Sequence, residues 1–274
     1  MKAQKIDNCP ISLLAESPIY LNNKFYWIDI KSGIMHSYDG DFQSFDMKEM
    51  ITFIVPSKNN IVYSTKNSIK YFDIENNKSR DIFNLNFREN VRFNDGKCDA
   101  SGRLYAGTMD MNEKNPDGSL YMFDSSYHEV LNNITISNGT IWSSDNKKMY
   151  YIDSPTKKIR VFDYDLKNGK ILTETESIDV NFSSGVPDGM TIDSHDNIYV
   201  CFYGGGHVLA FDKNGRNIKE IELSVNNVSS CIFGGKNMDE LFITTAKDCK
   251  GNGGEVYTYK NDIAGRPSYE YKLS

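Results

Sequence analysis

The sequence predicts an all-β chain closed into a six-bladed β-propeller. Three observations predict it. One strand–turn–strand phrase recurs six times, the recurrences are spaced as propeller blades are, and no helical periodicity or composition break interrupts them.

The phrase is an apolar-aromatic strand, a short polar turn, and a second strand that usually ends in aromatic-Asp. It reads 25–29 then 34–39, 61–65 then 69–73, and 104–108 then 120–124. It returns as 149–153 then 159–163, 198–202 then 208–212, and 241–245 then 256–260. The anchor residues are Tyr26, Val62, Tyr105, Tyr150, Tyr199 and Phe242. The shortest step is the 36 residues from Tyr26 to Val62 and the longest the 49 from Tyr150 to Tyr199. Each copy follows a turn such as Asn22-Asn23, Asn59-Asn60 or Ser101-Gly102, residue types that suit tight hairpins. Upstream lies a further apolar run, for example Thr140 to Trp142 and Met190 to Ile192, which supplies another strand per blade. A lone four-stranded sheet cannot cover both its faces, whereas six arranged radially bury them on one another. We expect residues 5–7 to close the ring beside a C-terminal strand over 268–272. With no linker or low-complexity tract, residues 1–274 read as one domain. A pair of β-sandwiches is the rival, and six in-phase copies argue against it.

Bulk properties bound the function. The 274 residues include 39% hydrophobic and 25% charged side chains, with 17 Tyr and 15 Phe. A formal charge of −6 and the lack of a dense Lys/Arg run argue against a nucleic-acid partner. The N-terminus lacks the apolar core of a signal peptide, and no stretch has the length and apolarity of a membrane span. The five cysteines are scattered with no Cys-x-x-Cys, which reads as reduced thiols in a cytoplasmic, monomeric protein without membrane contact.

Stepping ten to twelve residues back from each anchor reaches the start of each blade's innermost strand. The residues there are Glu16, the stretch near Thr52, Asn94, Asn138, Asp188 and Ser230. Four of the six are carboxylates or carboxamides, and Asn94-Asp95-Gly96, Asn138-Gly139 and Asp188-Gly189 share a following glycine. Buried carboxylates must be paired or coordinated. An oxygen-only set with two negative charges suits one hard divalent cation, and the glycines would allow close backbone approach. Taken singly each motif is an ordinary turn; the shared repeat phase makes them a site. Gly204-Gly205-Gly206 lacks the helix and Lys-Ser/Thr of a phosphate loop. The four histidines show no metal spacing, and there is no Gly-x-Ser-x-Gly elbow for a serine hydrolase.

Several motifs together resemble one family. They are Ala15-Glu16-Ser17-Pro18, Arg92-Phe93-Asn94-Asp95-Gly96-Lys97, the 102–109 segment, and Ile136-Ser137-Asn138-Gly139 with Tyr151-Ile152-Asp153-Ser154. Val186-Pro187-Asp188-Gly189-Met190 and the 229–235 segment complete the set. The chain is similar, over nearly its whole length, to the gluconolactonase / regucalcin (senescence marker protein) / luciferin-regenerating enzyme family. The resemblance implies a six-bladed propeller with one divalent metal ion and hydrolysis of aldonolactones such as gluconolactone. It implies Ca²⁺ as the bound ion, with Zn²⁺, Mn²⁺ or Mg²⁺ able to support activity. By motif position it makes Glu16, Asn138 and Asp188 the metal ligands, with Asp188 also the general base; because coordination lowers the basicity of a ligand, its free carboxylate oxygen or Asp95 is the proton acceptor. It places Arg92 and Asn94 on substrate hydroxyls. A substrate-contacting Glu of vertebrate members falls by count on Asn112, with Glu113 beside it, in an insertion over 110–117. The alternatives are a different metal-dependent hydrolase, on phosphotriesters or aryl esters, and a non-catalytic calcium-binding regulator.

Overall fold

The computed structural model describes residues 1–273 and is a ring of six antiparallel sheets around a central tunnel. Blade 1 is built from Ala15–Leu21, Lys24–Asp29, Ile34–Tyr38 and Phe42–Asp46, in that order outward. Blade 2 uses Ile54–Ser57, Asn60–Ser64, Ser68–Asp73 and Lys78–Asn84; blade 3 uses Val91–Cys98, Leu104–Asp110, Gly118–Phe123 and Tyr127–Ile134. Blade 4 comprises Ser137–Trp142, Lys148–Asp153, Lys158–Asp165 and Lys170–Glu174, with Ile178–Asp179 also paired to its third strand. Blade 5 holds Val186–Ile192, Ile198–Tyr203, His207–Phe211 and Asn217–Glu222. Among the described residues the helical content is one 3₁₀ turn, Ser154–Thr156, and no helix is long and apolar enough to cross a membrane.

Each blade runs from a buried inner strand to an exposed outer one. Ser137–Trp142 and Val228–Gly234 are buried throughout, whereas Lys78–Asn84 and Asn217–Glu222 alternate charge with partial cover. The hydrophobic core is correspondingly divided into six clusters, one in each gap between neighbouring blades. Between blades 4 and 5, for instance, Ile141, Ile152 and Ile159 meet Met190, Ile198 and Val200. Burying all six gaps is what requires the ring to close.

Closure is achieved at blade 6. Its inner strands Val228–Gly234, Glu240–Thr245 and Tyr257–Lys260 are joined at the outer edge by the N-terminal Gln4–Lys5. The pairing register is Gln4 with Thr258 and Lys5 with Tyr257. The expectation that the N-terminus completes the last blade thus holds, but its predicted partner does not. Residues 268–272 form no strand; they belong to a strap that crosses the far end of the tunnel. Arg266 N–H donates to Ile192 O in blade 5, Tyr271 N–H to Pro56 O in blade 2, and Lys272 N–H to Gly102 O in blade 3. Tyr271 is buried in the gap between blades 2 and 3. The alternation in Ser268-Tyr269-Glu270-Tyr271-Lys272 mimics a strand because one side of the strap is likewise buried.

Candidate active site at the tunnel mouth

Five of the six inner strands carry a β-bulge near their leading ends. The register shifts between Glu16 and Ile19, Phe93 and Gly96, Asn138 and Thr140, Pro187 and Met190, and Val228 and Ser230. A bulge places two residues against one and re-aims a side chain that would otherwise pack between sheets. Here it turns side chains inward. Ser17 adopts φ +47° at the first bulge, and its N–H donates to Glu16 Oε2 at 2.9 Å. Gly96 N–H does the same for Asp95 Oδ1 at 2.8 Å.

The glycines after the polar residues serve neighbouring blades. A Cβ on Gly189 would stand 2.1 Å from Ser230 Oγ, and one on Gly139 would stand 2.5 Å from Met190 Cγ. Inner strands converge at the tunnel axis, and only glycine fits between them there.

Glu16, Asn138 and Asp188, from blades 1, 4 and 5, line one cavity of about 350 Å³ at the tunnel mouth, with Arg92 and Asn94 of blade 3. Asn138 and Asp188 are 6% and 8% exposed. A chain of hydrogen bonds sets the carboxamides. Arg92 Nη1 donates to Asn94 Oδ1 at 2.8 Å, Asn94 Nδ2 to Asn138 Oδ1 at 3.1 Å, and Asn138 Nδ2 to Ser154 Oγ at 2.8 Å. The amide nitrogen of Asn138 is therefore committed to Ser154, and its oxygen, which accepts from Asn94, keeps a second lone pair for an ion. Thr52 and Ser230, the remaining two of the set, do not line it. Thr52 Oγ1 bonds Ser64 Oγ, and the Ser230 N–H bonds Thr244 Oγ1.

Electrostatics at this mouth are unbalanced. Burial, then the nearby Asp95 carboxylate, pushes Glu16 up to about 8. Burial, then Glu16 and Asp95, pushes Asp188 well above the ordinary carboxylate range. Burial also lowers Arg92 to about 10, against the pull of Glu113 and Glu16. Two carboxylates that repel each other, one half-buried and one buried, with a carboxamide oxygen and no sulfur or imidazole, make a set that fits a hard divalent cation. Among the described residues no group of three or more His, Cys, Asp or Glu is arranged to hold a metal. The set has only two carboxylates, and its third donor is an amide.

The loop after Leu104–Asp110 separates the two candidates for substrate contact, Asn112 and Glu113. Asn112 does not line the cavity: its N–H and its Nδ2 both donate to Asp110 Oδ1, at 3.1 and 3.3 Å. Glu113, at φ +59°, lines it instead. Asp110 is the organiser, its carboxyl held down at about 2 by the N–H groups of Asn115 and Asn112. Asp95 is buried but also absent from the lining. Sequence reasoning missed the apolar half of the wall, which includes Met50, Met111, Ile136, Val186 and Tyr203. Loop-tip methionines carry no repeat phase that would have marked them.

Comparison with known proteins identifies the family and the fold. The family model described as SMP-30/Gluconolactonase/LRE-like region matches residues 14–247. A Sulfolobus acidocaldarius protein of no named activity is 42% identical over 262 residues, 93% of this chain and 95% of its own. YvrE of Bacillus subtilis, provisionally named a sugar lactone lactonase, is 31% identical over 247 residues, covering 86% of this chain and 85% of its own. The solved structure of a luciferin-regenerating enzyme superposes with a TM-score of 0.93 at 26% identity, covering 99% of both chains. The chain belongs to the SMP-30/gluconolactonase/LRE-like family.

Proposed function

We propose that the protein is a divalent-metal-dependent lactonase that opens a sugar lactone, of the aldonolactone type exemplified by gluconolactone, to its open-chain acid. Family membership supports a hydrolase of the lactonase type. The observation that carries the finer reading is the pair of mutually repelling carboxylates, the half-buried Glu16 and the buried Asp188, in one cavity with a carboxamide oxygen and the half-buried guanidinium of Arg92.

Glu16, Asp188 and Asn138 would hold the ion, with Ca²⁺ as the resident and Zn²⁺, Mn²⁺ or Mg²⁺ as further candidates. When bound, such an ion supplies Lewis-acid polarisation of a carbonyl and lowers the pKa of water. Arg92 and Asn94 orient the substrate; the guanidinium is itself pinned by Phe93 O and Asn94 Oδ1, both at 2.8 Å, so its remaining N–H groups are aimed. The oxygen of Asp188 not committed to the ion accepts a proton from water as the water oxygen adds to the lactone carbonyl carbon. Ring C–O cleavage follows, and that proton passes to the departing ring oxygen, which becomes the new hydroxyl. Burial raises the proton affinity of Asp188, and coordination lowers it, so the two effects oppose each other in setting a usable base. Arg92 at the cavity favours catalysis over simple ion storage, which gains nothing from a guanidinium near the cation.

The test is a substrate panel. Aldonolactones, a phosphotriester and an aryl ester are assayed with each of the four ions after chelation. Lactone turnover that needs added ion supports the reading; turnover confined to the other esters, or ion binding without turnover of anything, would replace it with one of the two alternatives.

A further inference from the structure

Below the mouth the tunnel holds a second cavity, of about 50 Å³. Inner strands of all six blades wall it, with apolar side chains such as Ile19, Val55, Met190 and Ile232, and the strap residues Arg266 to Tyr269 close it from beneath. Three of its lining residues carry buried N–H donors without any acceptor: Lys97 Nζ, Trp142 Nε1 and Arg266 Nε. Elsewhere in the described residues only Ser37 Oγ and Glu255 Oε2 share that condition. Lys97 is 9% exposed and Trp142 2%. No Asp or Glu lines the cavity. Asp95 and Glu16 feel the Lys97 charge from above, but neither accepts a hydrogen bond from it.

We propose that this cavity is a binding site for a small monovalent inorganic anion of about the size of chloride, held by Lys97, Trp142 and Arg266. A buried ammonium without a partner is unfavourable, and three unpartnered donors on residues that line one cavity call for an occupant that accepts, with the Trp142 indole reaching it from its seat against Tyr105 and Tyr164. Water meets this poorly, because it brings two donors of its own. Of the lining hydroxyls, Thr140 already donates to Asn138 O and Tyr269 to Asn146 Oδ1; Thr191 and Ser268 are the other two. Size selects the anion. A water-sized occupant needs roughly 10–15 Å³ of such space, so the cavity takes a halide with a water or two and excludes sulfate or a sugar acid. The consequence is structural. Lys97 is on blade 3, Trp142 on blade 4 and Arg266 on the strap, so the anion ties the strap to the ring and plugs the far end of the tunnel.

Two measurements test this. Crystals of the intact protein in sodium bromide should show an anomalous bromine peak within hydrogen-bond distance of Lys97 Nζ. In solution, at constant ionic strength, replacing methanesulfonate by chloride should raise Tm by about 2–4 °C when chloride is some tenfold above its Kd. Lys97→Met should abolish that response whatever its own Tm, and Trp142→Phe, which keeps the ammonium, should weaken it. A wild-type crystal with no bromine peak in this cavity overturns the proposal without reference to any variant. An undiminished chloride response in Lys97→Met overturns it equally, since the anion would then act elsewhere.

Discussion

Replacing Glu16 by Gln should make the metal-free protein more stable at pH 8, although it removes a proposed ligand. Folding raises the Glu16 carboxyl from an ordinary 4.5 to about 8. Below pH 4.5 the group is protonated in both folded and unfolded chains and contributes nothing. Above it, the unfolded chain releases the proton while the folded chain keeps it, so stability falls as pH rises until the folded group also ionises near 8. The span of about 3.5 units at roughly 1.4 kcal/mol each sets a ceiling near 5 kcal/mol. Glu16 and Asp188 titrate as a pair, and water entering the mouth relieves part of the penalty, so about 2–5 kcal/mol is the working range. For a chain of this length that is about 4–9 °C in Tm. Melting curves in chelator should therefore place Glu16→Gln above wild type by that margin at pH 8, with the gap closing toward pH 5. Adding divalent ion should restore wild type and leave the variant little changed. Equal melting temperatures at pH 8, or a gap that does not depend on pH, would show that Glu16 carries no buried unbalanced charge, and the metal site would lose its physical basis.

Other perturbations separate the roles. Asp188→Ala should depress kcat on the best lactone by about 10²–10⁴-fold, and a variant that keeps both ion and turnover removes it as the base. Glu113→Gln should change KM for polyhydroxylated lactones several-fold, whereas Asn112→Ser, away from the cavity, should not; the reverse order would mean that the loop closes differently over substrate. Tyr271→Ala should lower stability by about 3–5 kcal/mol, judged by urea midpoint, because it empties a filled gap between blades 2 and 3. A loss under 1 kcal/mol would mean that the strap is only loosely held.

The repeat was legible because every blade must solve the same burial problem, so its aromatic and aliphatic anchors recur in register. The site was legible for the same reason: Glu16, Asn94, Asn138 and Asp188 occupy one phase of that repeat. What the sequence hid were departures from regular geometry. The bulges that turn these side chains inward leave no residue signature of their own, and the close approach expected at Gly139 and Gly189 is to Met190 and Ser230 of the neighbouring blades. Counting along the chain put Asn112 in the cavity because counting assumes uniform turns. The Asp110 carboxylate instead gathers the N–H groups of residues 112, 114 and 115 and swings Glu113 inward.

The ring is symmetric as a scaffold and asymmetric as a site, and the asymmetry has a physical origin. Blades 1, 3, 4 and 5 present carboxylate, carboxamide or guanidinium groups to the mouth, while at the same phase blades 2 and 6 carry Thr52 and Ser230, which stay out of the lining and bond their own second strands, Thr52 through its hydroxyl and Ser230 through its backbone N–H. Six inward carboxylates would be untenable around one axis, since each further buried charge raises the proton affinity of the rest. Two on the inner strands, from blades 1 and 5, make a pair that one divalent ion could cancel, while the third lining carboxylate, Glu113, acts on the Arg92 guanidinium. The strap lies on the other side of the ring from this pair: Arg266 to Tyr269 line the lower cavity with Lys97, so the carboxylates face the mouth while the basic groups of the strap and blade 3 face the far end.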